Sequence, residues 1–204
     1  MNAASYAAVF ALGVVVIVAG YVVLASYNAV MALRQRIDKA WSNIGVVLQQ
    51  RHDQLPNLVA AVRGLMAYEQ DVLTEVTRAR AAYTPTAPIP AQAGVSAQTS
   101  AAIRTLFATV ERYPEIKSAA NVADLQEEIE RLEGMIADRR ELYNDQVYRY
   151  NTRISQIPTS ALAAILGWRP REFFTPDPGA TTRPDVSLGT DDPPDADPVA
   201  GPSA

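Results

Sequence analysis

Arg51-His52-Asp53 is the most chemical-looking cluster in the sequence, because it holds the only histidine. Counting limits what it can do. A di-iron carboxylate bundle takes a Glu-x-x-His pair from each of two helices, and one histidine cannot supply both. The chain has no cysteine, which excludes disulfides and thiolate chemistry and would leave a zinc ion almost entirely to carboxylates. A Ser-His-Asp arrangement of the hydrolase type needs a serine on a sharp strand-to-helix turn, and no such turn is written here. Arg51, His52 and Asp53, with Pro56 and Asn57 just behind them, are therefore expected to cap and tie helix ends, where side-chain oxygens and charges are stabilising. No metal, cofactor or catalytic residue is implied, and the chain does not read as an enzyme.

Two further groups have suggestive spacing. Tyr143-Asn144 and Tyr150-Asn151 repeat at seven residues, which places both pairs on one face of a helix. The tyrosines are expected to pack as core aromatics with a partner for each hydroxyl, and the asparagines to bond across helices and fix register. The alternative is a polar groove that binds a partner peptide. Arg139 falls where the apolar pattern calls for a hydrophobic residue. Buried, it would need an acidic partner such as Asp38, Asp53 or Glu69; at the end of a bundle it would snorkel instead.

The elements that carry these residues are helical throughout. From Val30 the apolar residues fall at 30, 33, 37, 40/41, 44, 47/48 and 55, the spacing of an amphipathic helix. Pro56 should kink or break it, since it cannot donate to the carbonyl of His52, and a second helix then runs to about Arg80. Residues 84–99 hold three prolines and no charge, which reads as a linker. A third, shorter helix follows, with Ile103, Leu106/Phe107, Val110 and Tyr113 on one face and a stop at Pro114. A fourth runs from Val122 to Ile157 and stops at Pro158. A last turn over Ser160–Leu166 should be capped by Thr159 and ended by Gly167, leaving Trp168, Phe173 and Phe174 for the bundle's end or a membrane surface. Trp41 reads most simply as core. The fold class is all-α, an antiparallel bundle of about four long helices.

That bundle follows an apolar segment. Past a five-residue N-terminus, Tyr6 to Ala25 is twenty residues without a charge, about 30 Å of helix, enough to span the hydrocarbon of a bilayer. A cleaved signal peptide would need a basic start and a shorter apolar run, so residues 6–26 read as an uncleaved single-pass transmembrane helix. Arg34, Arg36 and Lys39 lie on its C-terminal side with no basic residue before it, which puts the N-terminus outside and the soluble part, residues 27–174, in the cytoplasm.

From Tyr27 to Phe174 there are 17 basic and 16 acidic residues, whereas Thr175 to Ala204 has one arginine, six aspartates and seven prolines. The body is nearly neutral and lacks the basic stripe a nucleic-acid binder needs. Residues 175–204 are expected to be a disordered acidic tail.

The ordered pieces Tyr27-Asn28, Arg34, Ala40-Trp41-Ser42, Arg51-His52-Asp53-Gln54-Leu55-Pro56-Asn57-Leu58, Tyr113-Pro114, Leu125-Gln126-Glu127-Glu128-Ile129-Glu130, Tyr143-Asn144, Tyr150-Asn151-Thr152, Ile157-Pro158-Thr159 and Arg171-Glu172-Phe173-Phe174 resemble the LemA family of bacterial membrane proteins across residues 5–174. The resemblance implies a membrane-anchored antiparallel helical bundle at the bacterial cytoplasmic membrane and no accepted catalytic site. The expected role is an interaction or scaffold protein, its partners the lipid bilayer and another membrane protein or further copies of itself. The alternative is a sensor or regulator that binds a small ligand between helices.

Overall fold

The computed structural model describes residues 3–63, 69–117 and 119–175, so nearly all of the acidic tail lies outside the described residues. Among the described residues there are six helices: α1 (Ala3–Arg63), α2 (Gln70–Ala81), α3 (Ile89–Val110), α4 (Pro114–Lys117), α5 (Ala120–Ser155) and α6 (Thr159–Leu166). No strand occurs among the described residues.

α1 is 61 residues long, and its two halves differ in what surrounds them. Its N-terminal part is long and apolar enough to cross a membrane, with an 18-residue window of mean hydropathy 2.7 and none of it buried against the rest of the chain. Burial begins at Ser26 and then recurs at Val30, Ile37, Ile44, Val47, Leu48, Arg51, Leu55, Leu58, Val59 and Val62, the three-and-four spacing of a helix with one covered face. The predicted break at Pro56 does not occur, and α1 continues through it to Arg63.

α5 is the main partner of α1 and runs antiparallel to it. Arg51 meets Glu133 while Trp41 meets Tyr143, ten residues apart on each helix in opposite directions. Two apolar clusters fill the bundle. The one nearer the membrane-length segment centres on Val30, Ile37, Ile44, Tyr143, Val147, Tyr150 and Ile154. The far one gathers Leu55, Leu58, Val62, Val76, Ile103, Leu106 and Ile129 from α1, α2, α3 and α5.

Residues 84–99 are not the expected linker, because α3 begins at Ile89 and buries Gln92, Ala93, Ser96 and Thr99. The prolines are compatible with that start. Pro88 is the N-cap and Pro90 lies in the first turn, where no backbone N–H is required for the helix ladder. Gln92 Nε2 donates to the carbonyls of Pro85 at 2.9 Å and Ala87 at 2.8 Å, closing the turn that precedes the helix. Pro114 likewise opens α4 rather than only closing α3. Gly167 ends α6 at φ 65°, and the Trp168 N–H reaches back to the Ala163 carbonyl at 2.9 Å, a left-handed C-terminal turn that favours glycine. Thr159 does not cap α6 as expected. It lies inside the helix, and its buried Oγ1 has no hydrogen-bond partner among the described residues.

Candidate functional site

A charged layer crosses the bundle where the two apolar clusters meet. Arg51, 3% exposed, pairs through Nη1 with Glu133 Oε1 at 2.7 Å. The same guanidinium donates to Ser100 Oγ at 3.0 Å and, through Nη2, to Ser96 Oγ at 3.1 Å. Ser100 Oγ donates to Glu133 Oε2 at 2.6 Å, so the carboxylate is held from two sides. Arg51 Nε is buried without a hydrogen-bond partner among the described residues. One arginine thus links α1, α3 and α5, and a buried guanidinium requires that matching, since it is always charged. A cleft of about 270 Å³ opens beside this layer, lined by Ser96, Ser100, Arg104, Glu133, Arg140 and Phe174 among others.

Arg51 was expected at a helix end and is instead mid-helix in the core. The heptad Val30, Ile37, Ile44, Arg51, Leu58 carries the signal, placing the arginine in line with four buried apolar residues. Arg139, which the pattern in α5 singled out, is half-buried and among the described residues forms no ion pair with Asp38, Asp53 or Glu69; it lines a shallow surface cleft with Met135, Asp138, Glu141, Leu142 and Asp145.

The neighbours of Arg51 do not cap either. Asp53 accepts from Gln49 Nε2 at 2.9 Å, one turn back on the exposed face, and Asn57 Nδ2 donates to Gln54 at 3.1 Å. What Pro56 needs comes from elsewhere. It leaves the His52 carbonyl without its helical donor, and Arg80 Nε on α2 supplies one at 3.2 Å. The His52 ring packs against Tyr83 with centroids 5.3 Å apart. Burial, then the nearby Arg80 charge, hold the imidazole below its usual pKa, so the neutral ring is favoured there. Among the described residues no group of three or more His, Asp or Glu is arranged to hold a metal ion.

The two Tyr-Asn pairs act together, on an element that periodicity does not reveal. After Gly167 the chain runs back along α5 as a strap, residues 168–175. Asn151 accepts from the Arg171 N–H at 2.8 Å and donates to the Arg171 carbonyl at 3.0 Å. Asn144 does the same to Phe174, at 2.8 and 3.2 Å. Tyr150 donates to the Arg169 carbonyl at 3.2 Å and Tyr143 to the Glu172 carbonyl at 2.9 Å. The register is a match of rises: seven helical residues advance about 10.5 Å, and three extended ones about 10 Å. Each pair on α5 therefore meets the same main-chain groups three residues further on, with the strap antiparallel. The asparagines bond to this strap and not across helices. The polar groove anticipated as a peptide site is occupied by the chain's own C-terminal segment.

Apolar anchoring completes it. Phe174 is buried and stacks at a tilt on Trp41, centroids 5.7 Å apart, and Trp41 meets Tyr143 at 5.6 Å. Phe173 stays partly exposed, and Trp168 meets Tyr27 at 5.9 Å. Burial pushes the Tyr143 hydroxyl up to about 12.

The LemA family model matches residues 40–188, from inside α1 to beyond the strap. Relatives include Magnetosome protein MamQ of Magnetospirillum gryphiswaldense, 25% identical over 185 residues that cover 78% of this chain and 68% of that one. Magnetosome proteins MamQ 1 and MamQ 2 of Paramagnetospirillum magneticum are each 36% identical over 81 residues, 40% of this chain and 30% of theirs. This chain therefore matches less than a third of the length of those two. With the family model covering well over half of its length, the chain belongs to the LemA family.

Proposed function

We propose that the protein is a membrane-tethered, non-enzymatic scaffold of the bacterial cell envelope, presenting helix faces of its bundle to another membrane protein or to copies of itself. The observation that carries this is α1, in which the membrane-length apolar segment and the central strut of the bundle are one helix. A rigid connection of that kind fixes the bundle's height above a bilayer and its orientation relative to the membrane-length segment, which suits holding a partner in place. The relatives' names tie them to magnetosomes, and a place in an ordered assembly accords with that.

The outer face of α5 offers a contact surface, with Tyr148 63% exposed and Leu142 half exposed among charged neighbours. A photo-crosslinking residue at Tyr148 is expected to trap a discrete partner or a dimer in cells. A strictly monomeric protein in detergent that traps nothing would remove the scaffold reading.

Arg34, Arg36 and Lys39 favour a cytoplasmic bundle, and the fold adds Arg153 and Arg169 near the same end, beside residues that pack on Tyr27 and Val30. With no native cysteine, Ser203→Cys is expected to react with a membrane-impermeant maleimide only after cell lysis. Labelling of intact cells would reverse the orientation and direct the search to partners outside the membrane.

A small-ligand regulator has one observation behind it, the cleft beside Arg51. Ser96, Ser100 and Glu133 on its wall are already bonded to Arg51 or to one another, which leaves little spare capacity for a ligand.

A further inference from the structure

α6 carries an apolar surface that the bundle does not cover. Ile157, just before it, is 91% exposed, Ile165 79% and Leu166 47%, while the helix buries only Thr159 and Ala163. Single exposed apolar residues are ordinary, but these three lie within ten residues of one tip. From Ile154 to Trp168 there is no charged residue, and Arg153 and Arg169 stand on either side.

The position of that tip identifies what covers it. α5 descends antiparallel to α1 and the strap climbs back along α5, so α6 is the turning point. It packs on both α1 and α5. Ala163 shares a cluster with Val30, and Trp168 lies against Tyr27, both just past the strongly apolar run that ends at Ala25 and before the first charged side chain at Arg34. At the helical rise Val30 is about 8 Å beyond Ala25, and the headgroup layer on each side of a bilayer is about 5–8 Å thick. The tip is therefore at headgroup depth whenever residues 6–25 span the hydrocarbon.

We propose that Ile157, α6 and Trp168 form an interfacial foot that inserts into the headgroup–acyl boundary of the same bilayer that α1 crosses. This rests on the membrane-anchored reading above. Ile157, Ile165 and Leu166 enter the acyl edge, the Trp168 indole takes the interfacial position aromatic rings favour, and Arg153 and Arg169 extend their guanidiniums to lipid phosphates. A foot beside the span gives the bundle a second attachment and resists its tilting relative to the plane of the bilayer.

The test is spin-label accessibility of the full chain in vesicles of phosphatidylcholine and phosphatidylglycerol, using Phe10→Cys, Ile165→Cys and Thr105→Cys one at a time. The label at Ile165 is expected to collide severalfold less with a water-soluble nickel chelate, and more with oxygen, than the label at Thr105 on the far half of the bundle. Phe10 should be shielded from nickel in the same way. If Ile165 is as open to nickel as Thr105 while Phe10 is lipid-like, the foot is wrong and the anchor stands. Shielding of Ile165 from both reagents would show a protein contact and overturn lipid as the occupant. Nickel access at Phe10 would overturn the anchor, and the foot with it.

Discussion

Glu133→Ala is expected to destabilise the bundle by about 3 kcal/mol, the low end of the cost of stripping one partner from a buried ion pair. The low end applies because Glu133 is 27% exposed, so water can partly take its place. Arg51 has no such access at 3% exposure and cannot shed its proton. Without the carboxylate its charge rests on the hydroxyls of Ser96 and Ser100 alone. Glu133→Gln keeps one acceptor oxygen and should cost less, about 1–2 kcal/mol, as expected for losing the charge assistance of its bonds to Arg51 and Ser100. The double variant Arg51→Met, Glu133→Leu should recover most of the loss, because a matched apolar pair replaces a buried ion pair at little cost. Denaturant unfolding followed by helical circular dichroism measures all three. A Glu133→Ala midpoint equal to the wild type would mean that Arg51 is solvated and that the layer is not structural.

This layer shows where sequence reasoning reaches and where it stops. α1 and α5 are legible because their buried residues are mostly large and apolar at three-and-four spacing, and α5 comes out at Ala120–Ser155, close to its expected span. The first half of α3 is illegible by the same test. Its buried residues are Gln92, Ala93, Ser96 and Thr99, small or polar side chains whose hydrogen bonds stay within the chain, so no apolar stripe announces the helix. Three prolines then bias the reading toward a loop, although they fall before or within the first turn, where a helix tolerates them. Pro56 misleads in the opposite way. Its local cost is real, yet tertiary contacts outweigh it, with Arg80 bonding the freed carbonyl and Leu55 and Leu58 buried on either side. The seven-residue repeat of the Tyr-Asn pairs was visible; their partner was not, because an extended strap has no periodicity of its own.

Phe174→Ala is expected to release that strap, removing a fully packed aromatic side chain at a cost of about 3–5 kcal/mol. The loss should be local. The far apolar cluster contains no strap residue, so its unfolding midpoint should move little while the amides of Arg171 and Phe174 lose protection in hydrogen exchange. Asn144→Ala and Asn151→Ala each delete two bonds to one strap residue, about 2 kcal/mol apiece at the usual net value per bond. The two sites are about 10 Å apart along α5, so their effects should add. Asn151→Asp separates bonding from bulk: it keeps the acceptor for the Arg171 N–H but turns an oxygen toward the Arg171 carbonyl, and should cost as much as alanine or more. High pH gives an independent handle. Tyr143 is raised from 10.0 to about 12 by burial, so a released or unfolded chain ionises first. The stabilisation is complete below about pH 10 and is lost as pH rises toward 12, by at most about 3 kcal/mol, and Tyr143→Phe should flatten that dependence. Trp41, packed between Tyr143 and Phe174, reports the same event by fluorescence. Each ladder bond goes to main chain rather than side chain, so the groove selects an extended backbone. Selectivity for this strap then comes from Phe174, and its truncation should have a larger effect than loss of either asparagine.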